Sequence, residues 1–522
     1  MIKKLIGRLG YSREWIIVVA LALLVALLRA PSLEQPFDND SGAIAYHARQ
    51  IVRGDPLYGT HHSNHHMPAT YYLYALAFSL FGDSLWSVKF FLLLWTIVTV
   101  YLLYRLGLLM TGHKIAGALA AGVYALLSSH VHLLGHTAEI ELFANLPRIA
   151  GVLVLLRLIA RRAAAWKFMF VGMLGSAAFL FKAVYVSPWA LAGVVLFVEF
   201  WLARSKRAVW RETVVRGLWV AGGAVIGLLP VVIYFGLVGL LPRFLAVFTL
   251  GRGYVSFRTA ASPGPEYMFL FPFVGLSENN VALVIFSITG SVMAAANLLL
   301  GRYKQYRQCL TEFYVVAWYA ISFLEAGITR TYFSHYYLLV LPPLVLLAAW
   351  FLLRLYRVGK SRSRVTRFAV LAFLMLSVVL VLSFSVVLNY NYYYCYLAYK
   401  FGPDTWHDFV LKGAIGGKGL IRVQELADYV AARTSPSDYI YYWSGDTQIY
   451  YLADRRCAID VLWPIYADAT GPYQRIFSPR TKYVILGESN NIPRADWLYT
   501  ELEGKYALET VIDEQEVYRR ID

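Results

Sequence analysis

Two aspartates, Asp38 and Asp40, stand just beyond the first long apolar run of the chain. Two positions apart in an extended segment, they point to opposite faces, so a single site is addressed by one of them. A carboxylate at a membrane–water boundary can act as general base on a hydroxyl. It can also hold a divalent cation that neutralises a phosphate leaving group. Asp40-Ser41 precedes a helix expected over 42–53, where Asp is a favoured N-cap. Asp40 is therefore read as base or as cap, and Asp38 likewise. If a metal is bound, its ligands fall among Asp38, Asp40 and His65.

Other candidates follow along the chain. His61-His62-Ser63-Asn64-His65-His66 offers neutral imidazoles, which are common metal ligands. Adjacent histidines do not match the helical spacing of a zinc site, so a solvated loop or a hydrogen-bond donor at His66 are the competing readings. His136, Glu139 and Glu141 stand at one end of an expected helix. Glu141 and Asn145, four apart, share a face, and an ion pair between Glu141 and Arg148 is the structural reading of that end. Lys182 lies at the end of its helix away from the basic loops, where it can meet a phosphate as a point charge or snorkel to the interface. Arg330, His335 and Tyr336 open a later span and read as anion-binding residues or as an interfacial belt.

These residues must be positioned by membrane helices. Hydrophobic residues make up 59% of the 522 and charged residues only 15%, far from a soluble average. Spans are expected at 15–30, 87–109, 115–133, 142–160, 167–185, 188–203, 217–239, 280–300, 311–327, 335–353 and 368–389, each near the roughly 18 to 20 residues a bilayer requires. The first is read as a retained helix and not a signal peptide, because no cleavage site and polar mature segment follow. The net charge of +16 sits in clusters between spans, such as Arg157/Arg161/Arg162/Lys167 and Arg354/Arg357/Lys360/Arg362. With the N-terminus inside, every cluster lands in the cytoplasm, as the positive-inside rule asks. That accounts for the charge and argues against nucleic acid as a partner.

The organisation expected is an all-α polytopic membrane bundle of about 11 transmembrane helices over 1–390, with a small extracytoplasmic α/β domain over 391–522. The long outer loops are 31–86 and 240–279, the second carrying Arg258. In the C-terminal domain a helix is expected at 421–434, strands at 439–443 and 482–486, and a short helix at 447–453. Trp443-Ser444-Gly445-Asp446 reads as a strand-to-helix turn, and no chemistry is assigned to this domain. Cys395 and Cys457 fall on the same side; two unpaired thiols are favoured over a disulfide, which spacing cannot establish.

In order and spacing, several segments resemble the C-type membrane glycosyltransferases of the protein O-mannosyltransferase and aminoarabinose-transferase superfamily. They are Asp40-Ser41, Asn64-His65-His66-Met67-Pro68, Tyr71-Tyr72-Leu73-Tyr74, Glu141-Leu142-Phe143 with Leu146-Pro147, Lys182, and His335-Tyr336-Tyr337-Leu338 before Pro342-Pro343. The resemblance covers about residues 15–390. Two departures stand out: Asp-Ser replaces the family's Asp-Glu, and His66 or Met67 replaces a lysine.

The resemblance implies a glycosyltransferase that moves one sugar from a polyprenyl-phosphate donor to a hydroxyl of a glycan, lipid or protein, with inversion, at the outer face of the plasma (inner) membrane. It implies Asp40 as base with Asp38 beside it. It places the donor phosphate against Lys182, His66, Arg258 and Arg330, and other substrate contacts at His65, Glu141, His335 and Tyr336. No cofactor is required, and a divalent cation is admitted. The alternative class is a lipid or sugar transporter or flippase. Transporters show paired halves and mid-membrane polar residues, whereas the polar residues here gather at the outer ends.

Overall fold

The computed structural model describes residues 2–60, 66–202, 207–260, 264, 267–300, 306–360, 362–464, 473–487 and 496–521. In chain order the membrane part contains α1 (Ile2–Arg29), α2 (Asn39–Val52), α3 (Ala69–Phe81), α4 (Leu85–Thr111), α5 (Lys114–Leu127), α6 (Ile140–Ala160) and α7 (Met169–Phe179). It continues with α8 (Ser187–Leu202), α9 (Arg207–Leu237), α10 (Leu241–Ala260), α11 (Tyr267–Leu299), α12 (Tyr306–Gly327), α13 (Leu341–Lys360) and α14 (Arg364–Phe401).

Each of the eleven expected spans coincides with a helix. Among the described residues, seven are long and apolar enough to cross a membrane: α1, α4, α6, α9, α11, α13 and α14. Helices α5, α7 and α8 are apolar but shorter, and α12 carries the buried acids Glu312 and Glu325. The architecture is that of a polytopic membrane protein.

Three details differ from the sequence reading. The stretch 240–279, expected as a loop, is largely helical, with α10 inside it and α11 starting at Tyr267. The loop 31–86 contains the apolar helix α3, which is too short to span. Helix α14 runs through residue 390 to Phe401, because no glycine or proline interrupts its tyrosine-rich end before Gly402. Its 38 residues reach about 57 Å, against roughly 30 Å of hydrocarbon. The surplus projects beyond the bundle, where Tyr392, Cys395 and Tyr396 pack with Phe409 of α15 (Trp406–Gly413).

The C-terminal domain continues with α16 (Gly417–Ala431), β1 (Tyr439–Trp443), α17 (Ile449–Leu452), β2 (Arg456–Cys457), β3 (Thr481–Leu486), α18 (Asp496–Leu502), β4 (Tyr506–Ile512) and β5 (Gln515–Arg520). Its sheet has the order β2-β1-β3-β5-β4. The first three strands are parallel, and the β4–β5 hairpin adds antiparallel to β3. β1 and β3 are buried on both faces, which explains their nearly continuous apolar text. Cys395 and Cys457 are both buried, and no disulfide joins them.

This domain sits on α2. The Thr447 hydroxyl donates to the carbonyl of Asn39 at 2.7 Å, and the Cys457 amide donates to the Tyr46 hydroxyl at 3.3 Å. Arg49 of α2 is buried and joins three segments. It donates to Asp83 at 2.6 Å, to the Tyr451 carbonyl at 2.7 Å and to Asp454 at 3.2 Å. The helix that starts at the aspartates is thus clamped from the side of the sheet domain.

Candidate active site

Asp38 is the N-cap of α2. Its Oδ1 accepts the Ser41 amide at 2.9 Å, satisfying one of the orphan donors at the helix start. Asp40 lies in the first turn. The capping role therefore belongs to Asp38, which frees the Asp40 carboxylate to face the bundle.

Three other chain segments converge there. Glu139 occupies the N-cap position of α6, where its side chain makes no capping bond but accepts from the Thr137 hydroxyl at 3.2 Å. His335 and Tyr336 come from a 3-10 turn over Ser334–Leu339. Lys182 comes from the link between α7 and α8. Ligand atoms of Asp40, Glu139 and His335 lie within 4.8 Å of one another. The Lys182 ammonium lies 3.7 Å above the Tyr336 ring and 3.8 Å from Glu141. Glu141, buried, also accepts the Tyr185 hydroxyl.

A deeper polar network holds these segments in place. Arg148, fully buried in α6, donates to Asn145 at 2.6 Å, Ser187 at 3.0 Å, Ser322 at 3.1 Å and the Leu339 carbonyl at 3.0 Å. It is ion-paired with Glu325, whose other oxygen accepts the Ser187 amide at 2.6 Å. Asn145 donates to the Leu338 carbonyl at 2.9 Å. One arginine thereby ties α6, the start of α8, α12 and the 3-10 turn together. The expected Glu141–Arg148 pair is not what forms: Glu141 pairs with Lys182, and Arg148 with Glu325. Seven residues is two helical turns, so Glu141 and Arg148 share a face but sit at different depths.

His66 reaches the same region. The Ala69 amide donates to the Leu180 carbonyl at 3.0 Å, joining the start of α3 to the Lys182 link. The His66 Nδ1 is 3.1 Å from the Tyr71 hydroxyl, and its ring meets Trp463 of the C-terminal domain edge-on. Arg330 lies in the loop before the 3-10 turn, with a left-handed backbone at φ 55°. Arg258 belongs to α10, but its side chain lies outside the described part, as does all of His65.

The electrostatics follow from crowding acids in a partly dry place. Burial, with Asp38 and Glu141 adding to it against Lys182, pushes the Asp40 carboxyl up to about 7. Burial and the Asp38, Asp40 and Glu141 charges hold Glu139 well above the usual carboxylate range. Burial, with Lys182 and His335 adding to it, pushes His66 down to about 3, so it is a neutral imidazole. Burial also lowers His335, against the pull of Glu141. For Lys182, burial works against the charge, but Tyr336, Glu141 and Asp40 more than offset it and raise the ammonium. The result is one firmly held cation beside a carboxylate that titrates near neutrality.

The three residues with converging ligand atoms form a donor set of two carboxylates and one imidazole, which suits a divalent cation. The His335 Nδ1 is buried with no partner, and a cation would relieve the repulsion of the two acids. The set differs from the Asp38, Asp40 and His65 expected from sequence, since the Asp38 Oδ1 is occupied as a cap. Glu139 is the residue that sequence reading underrated. The signal was present in Glu139-Ile140-Glu141 at a helix start, but only the fold turns both carboxylates towards Asp40.

The helical bundle with a trailing α/β domain and an acidic cluster at its mouth has the fold of a C-type membrane glycosyltransferase. The comparisons agree with the resemblance read from the sequence. The family model described as dolichyl-phosphate-mannose-protein mannosyltransferase matches residues 65–234. The chain superposes on ArnT from Cupriavidus metallidurans bound to undecaprenyl phosphate, with a TM-score of 0.59, 15% identity and 98% of each chain covered. It also matches the archaeal oligosaccharyltransferase AglB from Archaeoglobus fulgidus, in complex with an inhibitory peptide and a dolichol-phosphate. That match has a TM-score of 0.55 and 15% identity, over 91% of this chain and 69% of that one. No curated protein matches by sequence.

Proposed function

We propose that this protein transfers a single sugar from a polyprenyl-phosphate donor to an acceptor hydroxyl, with inversion at the anomeric carbon. The observation that carries the reading is that one half-buried place at the mouth of an apolar bundle holds the Asp40 carboxylate within electrostatic reach of the Lys182 ammonium, which is itself fixed by Glu141 and the Tyr336 ring. The family match over residues 65–234 and the fold shared with lipid-phosphate-bound structures support it.

In this mechanism the polyprenyl chain lies in lipid against the helices. Lys182 contacts the phosphate, with His66 as a neutral hydrogen-bond partner and Arg258 and Arg330 as further cations. Asp40 takes the proton of the acceptor hydroxyl. The oxygen attacks the anomeric carbon from the face opposite the phosphate, and the carbon–oxygen bond to phosphate breaks. The electron pair leaves on polyprenyl phosphate, and the proton remains on Asp40. A general base is most effective with a pKa near the working pH, and a fixed cation in a poorly solvated site is worth more than in water. The basic clusters at the opposite ends of the helices support a site on the outer face, and the reading takes the membrane to be the plasma membrane.

A second reading of Asp40 rests on the converging atoms of Asp40, Glu139 and His335. These three would hold a divalent cation, which would supply charge neutralisation at the leaving phosphate. Metal analysis of the purified protein separates the two: a bound ion lost in His335→Ala supports it, and a metal-free preparation with full activity removes it.

The test of the main reading uses a panel of short-chain polyprenyl-phosphate sugars with purified protein. Release of polyprenyl phosphate that disappears in Asp40→Asn is expected. Full turnover in a folded Asp40→Asn would overturn the base assignment, and no release from any donor would favour a transporter.

A further inference from the structure

Behind the 3-10 turn of the acidic site lies a second, unassigned space. A cavity of about 510 Å³ opens between that turn, α11 and the end of α14. In a 3-10 helix residues three apart eclipse one another. Ser334 and Tyr337 therefore share an edge, and both line this cavity, while His335 and Tyr336 between them serve the acidic site. One turn of chain is a common wall of both spaces.

The far wall is a single face of α11: Phe271, Gly275, Glu278 and Asn279, at spacings of three and four. Gly275 has a structural reason, because a Cβ there would overlap the Tyr337 ring. Phe271 stacks on Tyr332 with centroids 4.7 Å apart, and the Tyr337 hydroxyl donates to the Tyr332 carbonyl at 3.2 Å. Aromatic surfaces thus line the space and are held rigidly. Asn279 is only 7% exposed; its amide donates to the Gly275 carbonyl at 2.7 Å, and its Oδ1 is buried without a partner. A buried amide oxygen left unpaired is costly. The next residue, Asn280, leaves helical geometry altogether, at φ −166° and ψ 80°. In transporters, substrates bind beside such breaks in membrane helices, where backbone and side-chain polar groups face a cavity.

The chemistry of the lining selects the occupant. Among the described residues that line it are one carboxylate, Glu278, and no lysine or arginine. A phosphate would be repelled. What the wall offers is hydrogen-bond acceptors and donors at Glu278, Asn279, Ser334 and His132, set between aromatic faces. That combination suits the hydroxyls and apolar ring faces of a neutral saccharide.

We propose that this cavity holds a neutral sugar unit of the acceptor, so that the acceptor class is a saccharide-bearing molecule. The assignment of acceptor rests on the transfer reading above; the assignment of saccharide binding does not. The test uses Leu388→Cys, at the cavity lining, in protein reconstituted in lipid nanodiscs. Its rate of labelling by a polar thiol reagent is measured above the parent background, with octyl β-glucoside, octyl phosphate or a short Ser/Thr-rich peptide present. Octyl β-glucoside is expected to slow labelling several-fold, and the other two probes are not. Adding Asn279→Leu, or Glu278→Gln as a milder change, should abolish the protection while Leu388→Cys stays folded. Equal protection by octyl phosphate or by the peptide, or no protection at all, overturns the saccharide site. Protection by the glucoside in a protein that transfers no sugar from any polyprenyl-phosphate donor overturns the acceptor role and the transfer reading, but leaves the site.

Discussion

The bare Cα of Gly42, one turn into α2, lies against the backbone and Cβ of Gln448 in the C-terminal domain, so closely that a methyl group at 42 would overlap them. The helix that carries Asp40 and the sheet domain therefore pack as one body at this point. Gly42→Ala must push the two apart, and overpacking of this kind costs about 1–3 kcal/mol. The expected result is a lower Tm and a larger loss of kcat than of donor affinity, since Asp40 shifts while Lys182 does not. A Gly42→Ala protein with parental Tm and kcat would show that the contact is not rigid.

Arg49 tests the same interface by charge. Its guanidinium lies 3.7 Å above the Tyr451 ring and bonds Asp83 and Asp454. Arg49→Met leaves Asp83 without this partner, while Asp454 keeps Arg53 at 2.8 Å. The two acids are partly exposed, so the loss is expected at about 1–3 kcal/mol, below that of a fully buried pair. Chemical denaturation of Arg49→Met and Asp83→Asn measures it, with the arginine change the more damaging.

Asp40 sets a pH dependence. Its pKa is raised from an ordinary carboxylate value to about 7. A base must be deprotonated, so kcat/KM should rise with pH and level off above about 7, and Asp40→Asn should lower it by about 10²- to 10⁴-fold. The stability sign runs the other way. The folded state disfavours the charged carboxylate, so folding is weakened progressively as pH rises from about 4 to about 7. Asp40→Asn should then raise Tm at pH 8 and leave it unchanged at pH 4, with a gain at pH 8 on the order of 1–2 kcal/mol after allowance for partial exposure. Thermal scans at the two pH values check this without any substrate.

Arg148 and Glu325 form a fully buried ion pair. Removing one partner strands the other charge, at a cost of about 3–5 kcal/mol. Arg148→Met is therefore expected to unfold or express poorly. Arg148→Met with Glu325→Leu should recover much of the stability and little activity, because the Leu339 carbonyl, and with it His335, loses its anchor. Comparison of Tm and turnover in the single and double variants separates folding from positioning.

Lys182→Met should raise the donor KM by ten-fold or more, and Lys182→Arg should restore part of it, because a cation above the Tyr336 ring is retained. Titration of donor against both variants measures the split.

The sequence by itself determined the membrane class, the presence of a helix at each of the eleven expected spans, seven of which are long and apolar enough to cross a membrane, the trailing α/β domain and several of the residues that meet at the site. Apolar runs of bilayer length and basic clusters are local properties of the chain, so they can be read without knowing what touches what. The order of the motifs that resemble the C-type glycosyltransferases pointed to Asp40, Lys182 and His335 for the same reason. Partner choice needed the tertiary structure. Only the fold showed that Asp38 is the cap, that Arg148 pairs with Glu325 on a helix 177 residues away, and that Glu139 joins Asp40 and His335. It also showed α17 closing on Gly42. These contacts depend on helix rotation and depth, which side-chain packing among distant segments sets and which no single segment encodes.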